Sequence, residues 1–158
     1  QNYCGLDGSL DGSQTGADIK IMNKIRPYSR VIERLRGVGL RPTRQRIALA
    51  KLLFEGVDRH VTAESLHLEA QESAIRVSLA TVYDTLHQFT SVGLLREIVV
   101  DSQRCYFDTN TSDHHHFFFE KSLRLEDIPG EQIMLSGLPQ TPEGKTVRQI
   151  DVVVRLDG

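Results

Sequence analysis

Thiols are scarce in this chain. Of 158 residues only Cys4 and Cys105 are cysteines, one near the start and one deep inside. Two thiols so far apart make no disulfide framework, and their scarcity fits a reducing, cytoplasmic setting. Long apolar runs are missing too: nothing approaches the roughly 20 apolar residues a spanning helix needs, so no membrane contact is expected. The first residues hold no basic stretch leading into an apolar one, so no secretion signal is expected. HExxH and other catalytic constellations are also absent, which argues against a hydrolytic enzyme.

What is present begins with 39% hydrophobic residues, enough for a real core in one or two small domains. The formal net charge of -2 conceals an asymmetry. From residue 20 to 46, nine bases (Lys20, Lys24, Arg26, Arg30, Arg34, Arg36, Arg41, Arg44, Arg46) face Glu33 alone. Such a block is the electrostatic footprint expected for phosphate contact, although a merely solvated basic face has the same composition.

The most informative stretch is Ser78 to Gly93, SLATVYDTLHQFTSVG. Leu79, Val82, Leu86 and Phe89 form one stripe of an amphipathic helix. The stripe taken as opposite holds Ser78, Thr81, Thr85 and Gln88, short or flat hydrogen-bonding side chains rather than ion-paired Lys and Glu. That chemistry suits close approach to base edges in a major groove. Gly93 stops the helix, and Leu94 to Phe107 reads as a hairpin with strands Ile98–Val100 and Cys105–Phe107. Helix followed directly by hairpin is the outline of a winged helix-turn-helix.

Upstream, Tyr28 to Arg36 reads as a helix with Val31, Ile32 and Leu35 inward. Thr43 is the expected N-cap of a second helix, apolar on most sides from Ile47 to Phe54. Thr62 to Ser65 begins a third, with Leu66 and Ala70 inward. Downstream, strands are expected at His115–Phe119 and Leu123–Ile128, a short helix at Glu131–Leu138, and an apolar strand at Val147–Leu156 with Asp151 embedded. The expected division is a disordered tail over 1–20, a winged-helix DNA-binding domain over 21–108, a hinge over 109–112, and an α/β dimerisation and effector-sensing domain over 113–158.

The second informative stretch is DTNTSDHHHFFF from Asp108. If it is extended, alternation puts His114 and His116 on one face and His115 on the other. Two imidazoles on one strand face can chelate a transition metal or ligate haem iron, and Asp108 and Asp113 add oxygen donors nearby. His67 and His87 read as incidental surface or packing residues.

The succession GLRPTRQRIALAKLL, RHVTAESLH, SLATVYDTLHQFTSVGLL and YFDTN followed by HHH resembles the ferric uptake regulator family in order and spacing, over residues ~28–156. The resemblance implies an α+β protein and a cytoplasmic bacterial transcription regulator. It also implies a homodimer, possibly larger on DNA, bound to AT-rich inverted repeats. It places a regulatory metal site (Fe, Mn or Zn) on His60, Asp108, His114, His116 and Asp127. Tyr83 falls at the family's base-contacting tyrosine and Arg41 near its minor-groove arginine, with Arg44 beside it among the candidate DNA contacts. Aspartate at 108 resembles the peroxide-sensing branch. The Cys-x-x-Cys that holds structural zinc in most relatives is replaced here by Phe119-Glu-Lys-Ser122, so that zinc is expected to be absent.

Loss of those cysteines, with DTNTSDHHHFF and the ending DVVVRLDG, resembles the iron response regulator branch. That branch implies haem ligation through His114, His115 and His116, with loss of DNA binding as haem rises. Cys4 precedes glycine, so the Cys-Pro haem motif is not present. Asp84 stands where the family commonly has arginine or asparagine. The alternatives are a divalent-metal-corepressed or peroxide-sensing repressor and, remotely, a small metalloenzyme on the histidine cluster.

Overall fold

The structure is a computed structural model and describes residues 28–158. The expected disordered tail, Cys4, and the bases Lys20, Lys24 and Arg26 lie outside the described residues.

Four helices come first: α1 (Ser29–Gly37), α2 (Arg44–Phe54), α3 (Ala63–Glu72) and α4 (Leu79–Ser91). Side-chain oxygens satisfy orphan amides at three of their starts, including the expected cap at Thr43. Thr43 Oγ1 accepts from the Arg46 N–H at 3.3 Å and Ser78 Oγ from the Thr81 N–H at 3.1 Å. Thr62 and Ser65 cap α3 reciprocally, at 3.1 and 3.0 Å. The inward stripes meet in one core of Val31, Leu35, Leu49, Leu53, Leu66, Val82, Leu86 and Phe89.

A three-stranded antiparallel sheet closes this core. Its strands are β1 (His60–Val61), β2 (Arg96–Val99) and β3 (Cys105–Asp108), in the order β1-β3-β2. The β2–β3 hairpin is the expected wing, shifted by one or two residues, and β1 extends it by pairing His60 with Asp108. A second sheet, β5-β4-β6, consists of β4 (His114–Phe119), β5 (Arg124–Pro129) and β6 (Val153–Leu156), with β4 antiparallel to β5 and parallel to β6.

Two expectations beyond the second sheet are corrected. Glu131–Leu138 is not an α-helix; a single 3-10 turn at Gly130–Gln132 stands there. The strand expected over Val147–Leu156 is paired only from Val153. Asp151 instead precedes the strand and binds Arg96. Apolar content alone does not make a strand without a partner edge, and β4 offers β6 only four residues of ladder.

The two sheets are packed together. Ile98 and Tyr106 from the wing join Phe118 and Leu125 in a second buried cluster, which crosses the expected domain boundary. The Tyr106 hydroxyl donates to the Leu123 carbonyl at 2.6 Å across the same seam. Thr109 is buried and tied back by the Arg59 N–H at 2.9 Å, and the rest of the expected polar hinge is also held: the Asn110 N–H donates to Asp108 Oδ1 at 2.8 Å and the Ser112 carbonyl accepts from Arg96 Nη1 at 2.9 Å.

Candidate metal centre and nucleic-acid face

At the seam between the sheets, His60, Asp108, His114, His116 and Asp127 each offer one donor atom, all within 4.8 Å of one another. Pairing explains the convergence. β1 and β3 align His60 with Asp108, and β4 and β5 align His116 with Asp127. Alternation along β4 turns His114 and His116 inward to the cluster together. His115 faces away, its Nδ1 accepting from the Val152 N–H at 3.2 Å. Asp113, the other oxygen donor suggested by the sequence, is not in the cluster.

The contacts are close. Asp108 Oδ2 lies 2.8 Å from His114 Nε2 and 3.1 Å from both His116 Nε2 and His60 Nε2. Asp127 Oδ1 lies 2.8 Å from His60 Nε2 and 3.5 Å from the other two. Burial alone would raise the Asp108 carboxyl, but contacts with His116 and His60 and the Asn110 N–H hold it well below the usual carboxylate range. Burial works against protonation of His60, yet the facing carboxylates of Asp108 and Asp127 outweigh it and raise this imidazole.

These residues fit a divalent cation. His114 Nδ1 lies 2.7 Å from the Ser112 carbonyl, which can only accept, so Nδ1 carries the hydrogen and Nε2 faces the cluster. His60 Nε2 is buried without an aligned hydrogen-bond partner, although two carboxylates touch it. Three imidazoles and two carboxylates suit Fe, Mn or Zn rather than a soft ion, and two carboxylate charges balance a divalent one. A porphyrin does not fit among donors packed within 4.8 Å of one another. His114, His115 and His116, the expected haem ligands, are all buried, each residue 8% exposed or less.

The nucleic-acid candidates divide. Tyr83, Arg41 and Arg44 are exposed. Ser78 and Thr81 stand at the start of α4, with Oγ and Oγ1 2.9 Å apart, engaged in capping. Thr85 is corrected: it is 5% exposed and belongs to the core side of α4. At 100° per residue it follows Val82 and precedes Phe89 on the buried arc, so the outward arc is Ala80, Tyr83, Asp84 and His87. Arg46 of α2 forks onto Gln88 Oε1 at 3.1 and 2.8 Å, fixing α4 against α2.

Tyr83 donates its hydroxyl to Glu64 Oε1 at 2.6 Å. This bond lowers the Glu64 carboxyl and raises the Tyr83 phenol from their ordinary values. Sequence reasoning missed Glu64 and His87, because their partners come from other elements; only the i, i+4 spacing of Tyr83 and His87 hinted at contact.

The ferric uptake regulator family model matches residues 37–146. The peroxide-responsive repressor PerR of Staphylococcus epidermidis is 30% identical over 102 residues, 65% of this chain and 67% of that protein. Among solved structures, the ferric uptake regulator of Pseudomonas aeruginosa with manganese is similar with a TM-score of 0.62 at 23% identity, over 80% of this chain and 96% of that one. That of Vibrio cholerae gives 0.63 at 15% identity, over 81% and 99%. At such identities the structures establish the fold.

Proposed function

The chain belongs to the ferric uptake regulator family of metal-responsive transcription regulators, not enzymes, and from that premise we propose that it is a homodimeric DNA-binding regulator governed by a divalent metal at the His60–Asp127 cluster. The single observation that carries this reading is the cluster itself, whose donors come from both sheets. An ion that binds one arrangement of the sheets better than another stabilises that arrangement by the difference. Residues 21–108 would read DNA and 113–158 would dimerise, joined by 109–112. The outward arc of α4, led by Tyr83, would enter the major groove of an AT-rich inverted repeat, with Arg41 and Arg44 at its flank.

Peroxide sensing is supported by the similarity to PerR, and control by haem by the sequence resemblance to the iron response regulator branch. The packing of the donors favours an ion over haem as the occupant of the cluster.

The test is fluorescence anisotropy of a labelled AT-rich inverted repeat at two salt concentrations. The protein is taken in chelator, then with Mn(II), Fe(II), Zn(II) or haem. Affinity that rises with the divalent ion, falls with salt, and loses its metal dependence in His116→Ala is the expected result. Affinity that ignores metal and falls with haem would replace the metal reading by haem control. Loss of binding when peroxide meets the Fe(II)-loaded protein would make it a peroxide sensor. Absence of salt-sensitive binding in every condition overturns the DNA assignment.

A further inference from the structure

His87 stands one turn beyond Tyr83 on α4. Its imidazole lies nearly parallel to the Tyr83 ring, with centroids 6.4 Å apart and planes at 20°. The same imidazole meets Phe107 of β3 edge-on, at 5.5 Å and 77°. Phe107 is 1% exposed, so this support is fixed in the core. On the far side, the Tyr83 hydroxyl is held by Glu64 in the first turn of α3. The tyrosine is therefore gripped at its hydroxyl by a helix and along its face by a stack resting on the first sheet.

That sheet has two faces with different duties. Its ladder pairs His60 with Asp108 and Val61 with Phe107. Alternation sends His60 and Asp108 into the candidate metal cluster, and Val61 and Phe107 into the helical core. Any displacement of these strands that draws the two donors onto an ion moves Phe107 as well, because Phe107 is bonded directly to Asp108 along β3 and pairs with Val61, the residue after His60. Edge-on and offset ring contacts are directional, so His87 has to follow Phe107 rather than slide over it.

We infer that His87 is a positioning residue that relays the state of the metal cluster to Tyr83. It receives the displacement at its edge on Phe107 and passes it through its stack on the tyrosine ring. The inference rests on the metal and DNA-binding reading given above. It assigns a role to a side chain that touches neither ion nor cluster.

The decisive experiment uses the full chain labelled with 3-fluorotyrosine, Zn(II) as the probe, and no DNA. The Tyr83 fluorine signal is assigned with Tyr83→Phe, and Zn(II) binding is followed in parallel by calorimetry. In the unsubstituted protein the signal is expected to move as Zn(II) binds. In His87→Ala it should move little, at unchanged Zn(II) affinity, and in His87→Phe the movement should return. On DNA, His87→Ala should lose about threefold or more of the metal-induced gain in affinity. His87 is exposed, so its truncation opens no buried cavity. An equal Zn(II)-induced shift in His87→Ala, or a motionless signal while calorimetry shows Zn(II) bound, overturns the relay. Zn(II) affinity that is unaltered in His116→Ala overturns the metal reading instead, and the relay with it. The two failures are read from different instruments.

Discussion

Arg96 of β2 reaches across the seam to Asp151, its Nε donating to Oδ1 at 3.1 Å, while its Nη1 donates to the Ser112 carbonyl at 2.9 Å. The guanidinium is 6% exposed and the Asp151 side chain about a third exposed, so one buried fork ties the wing to the linker and to the chain ahead of β6. Arg96→Ala is expected to lower stability by about 1–3 kcal/mol. The partly solvated carboxylate keeps the loss below that of a fully buried pair. Arg96→Lys should recover only part of it, because an ammonium cannot hold both partners in one plane. Thermal unfolding of the three proteins in chelator measures this.

Asp108 is the only cluster residue within 3.1 Å of all three imidazoles. Asp108→Asn should therefore weaken Mn(II) or Zn(II) binding by more than about tenfold. It replaces an anionic oxygen donor by a weaker neutral amide and removes one of the two carboxylate charges that balance the ion. Equilibrium dialysis at pH 7.5 gives the comparison, and an unchanged affinity would place the ion elsewhere.

Cys105 donates its thiol to Glu97 Oε1 at 2.9 Å, and burial followed by that bond pushes the thiol pKa up to about 12. A thiol held protonated is a poor nucleophile, so iodoacetamide at pH 8 should label native Cys105 at least ~100-fold more slowly than the unfolded chain. Site-resolved mass spectrometry separates it from Cys4. Because the folded pKa lies above the unfolded one, the folded state binds the extra proton at alkaline pH. The associated stability is present below the unfolded thiol pKa and is lost as pH rises toward 12. Unfolding by urea at pH 8 and pH 10.5, with and without Cys105→Ala, reads this directly: the difference between the two proteins should shrink at the higher pH.

Gly130 closes the turn after β5 against backbone. A Cβ there would sit 2.8 Å from the Asp113 carbonyl oxygen, one residue before His114. Gly130→Ala is expected to destabilise the protein by about 1–3 kcal/mol. It should also weaken metal binding by displacing His114. If the melting temperature falls while metal affinity holds, the turn and the cluster are mechanically separate.

The parts of this fold that were legible in the sequence depend on near neighbours. Thr43, Thr62 and Ser78 announce helix starts because capping acts within three residues. The shared face of His114 and His116 follows from the period of an extended chain. Thr85 falls on the core side because the stripe of residues 78, 81, 85 and 88 is offset by one residue, about 100°, from the apolar stripe of 79, 82, 86 and 89 and is not opposite it. The helix expected over Glu131–Leu138 and the first part of the strand expected over Val147–Leu156 do not form, because apolar content alone does not make regular structure and pairing requires an edge supplied from far away in sequence. His87 and Arg96 owe their roles to Phe107 and Asp151, long-range partners that no local pattern reveals.

The buried cluster of Ile98, Tyr106, Phe118 and Leu125 sets how far the two sheets can part. Fully exposing a side chain of this kind gives up roughly 1.5–3 kcal/mol. Even half-opening all four exceeds the ~1–3 kcal/mol that a coupled effector typically supplies. The seam is thus a weld rather than a pivot. An ion held by the neighbouring cluster, as proposed above, would act as a clamp on a closed joint, tuning stiffness and small offsets instead of driving a swing within one subunit. In the proposed dimer, large changes of spacing between the two DNA-reading heads would then arise where one copy meets the other.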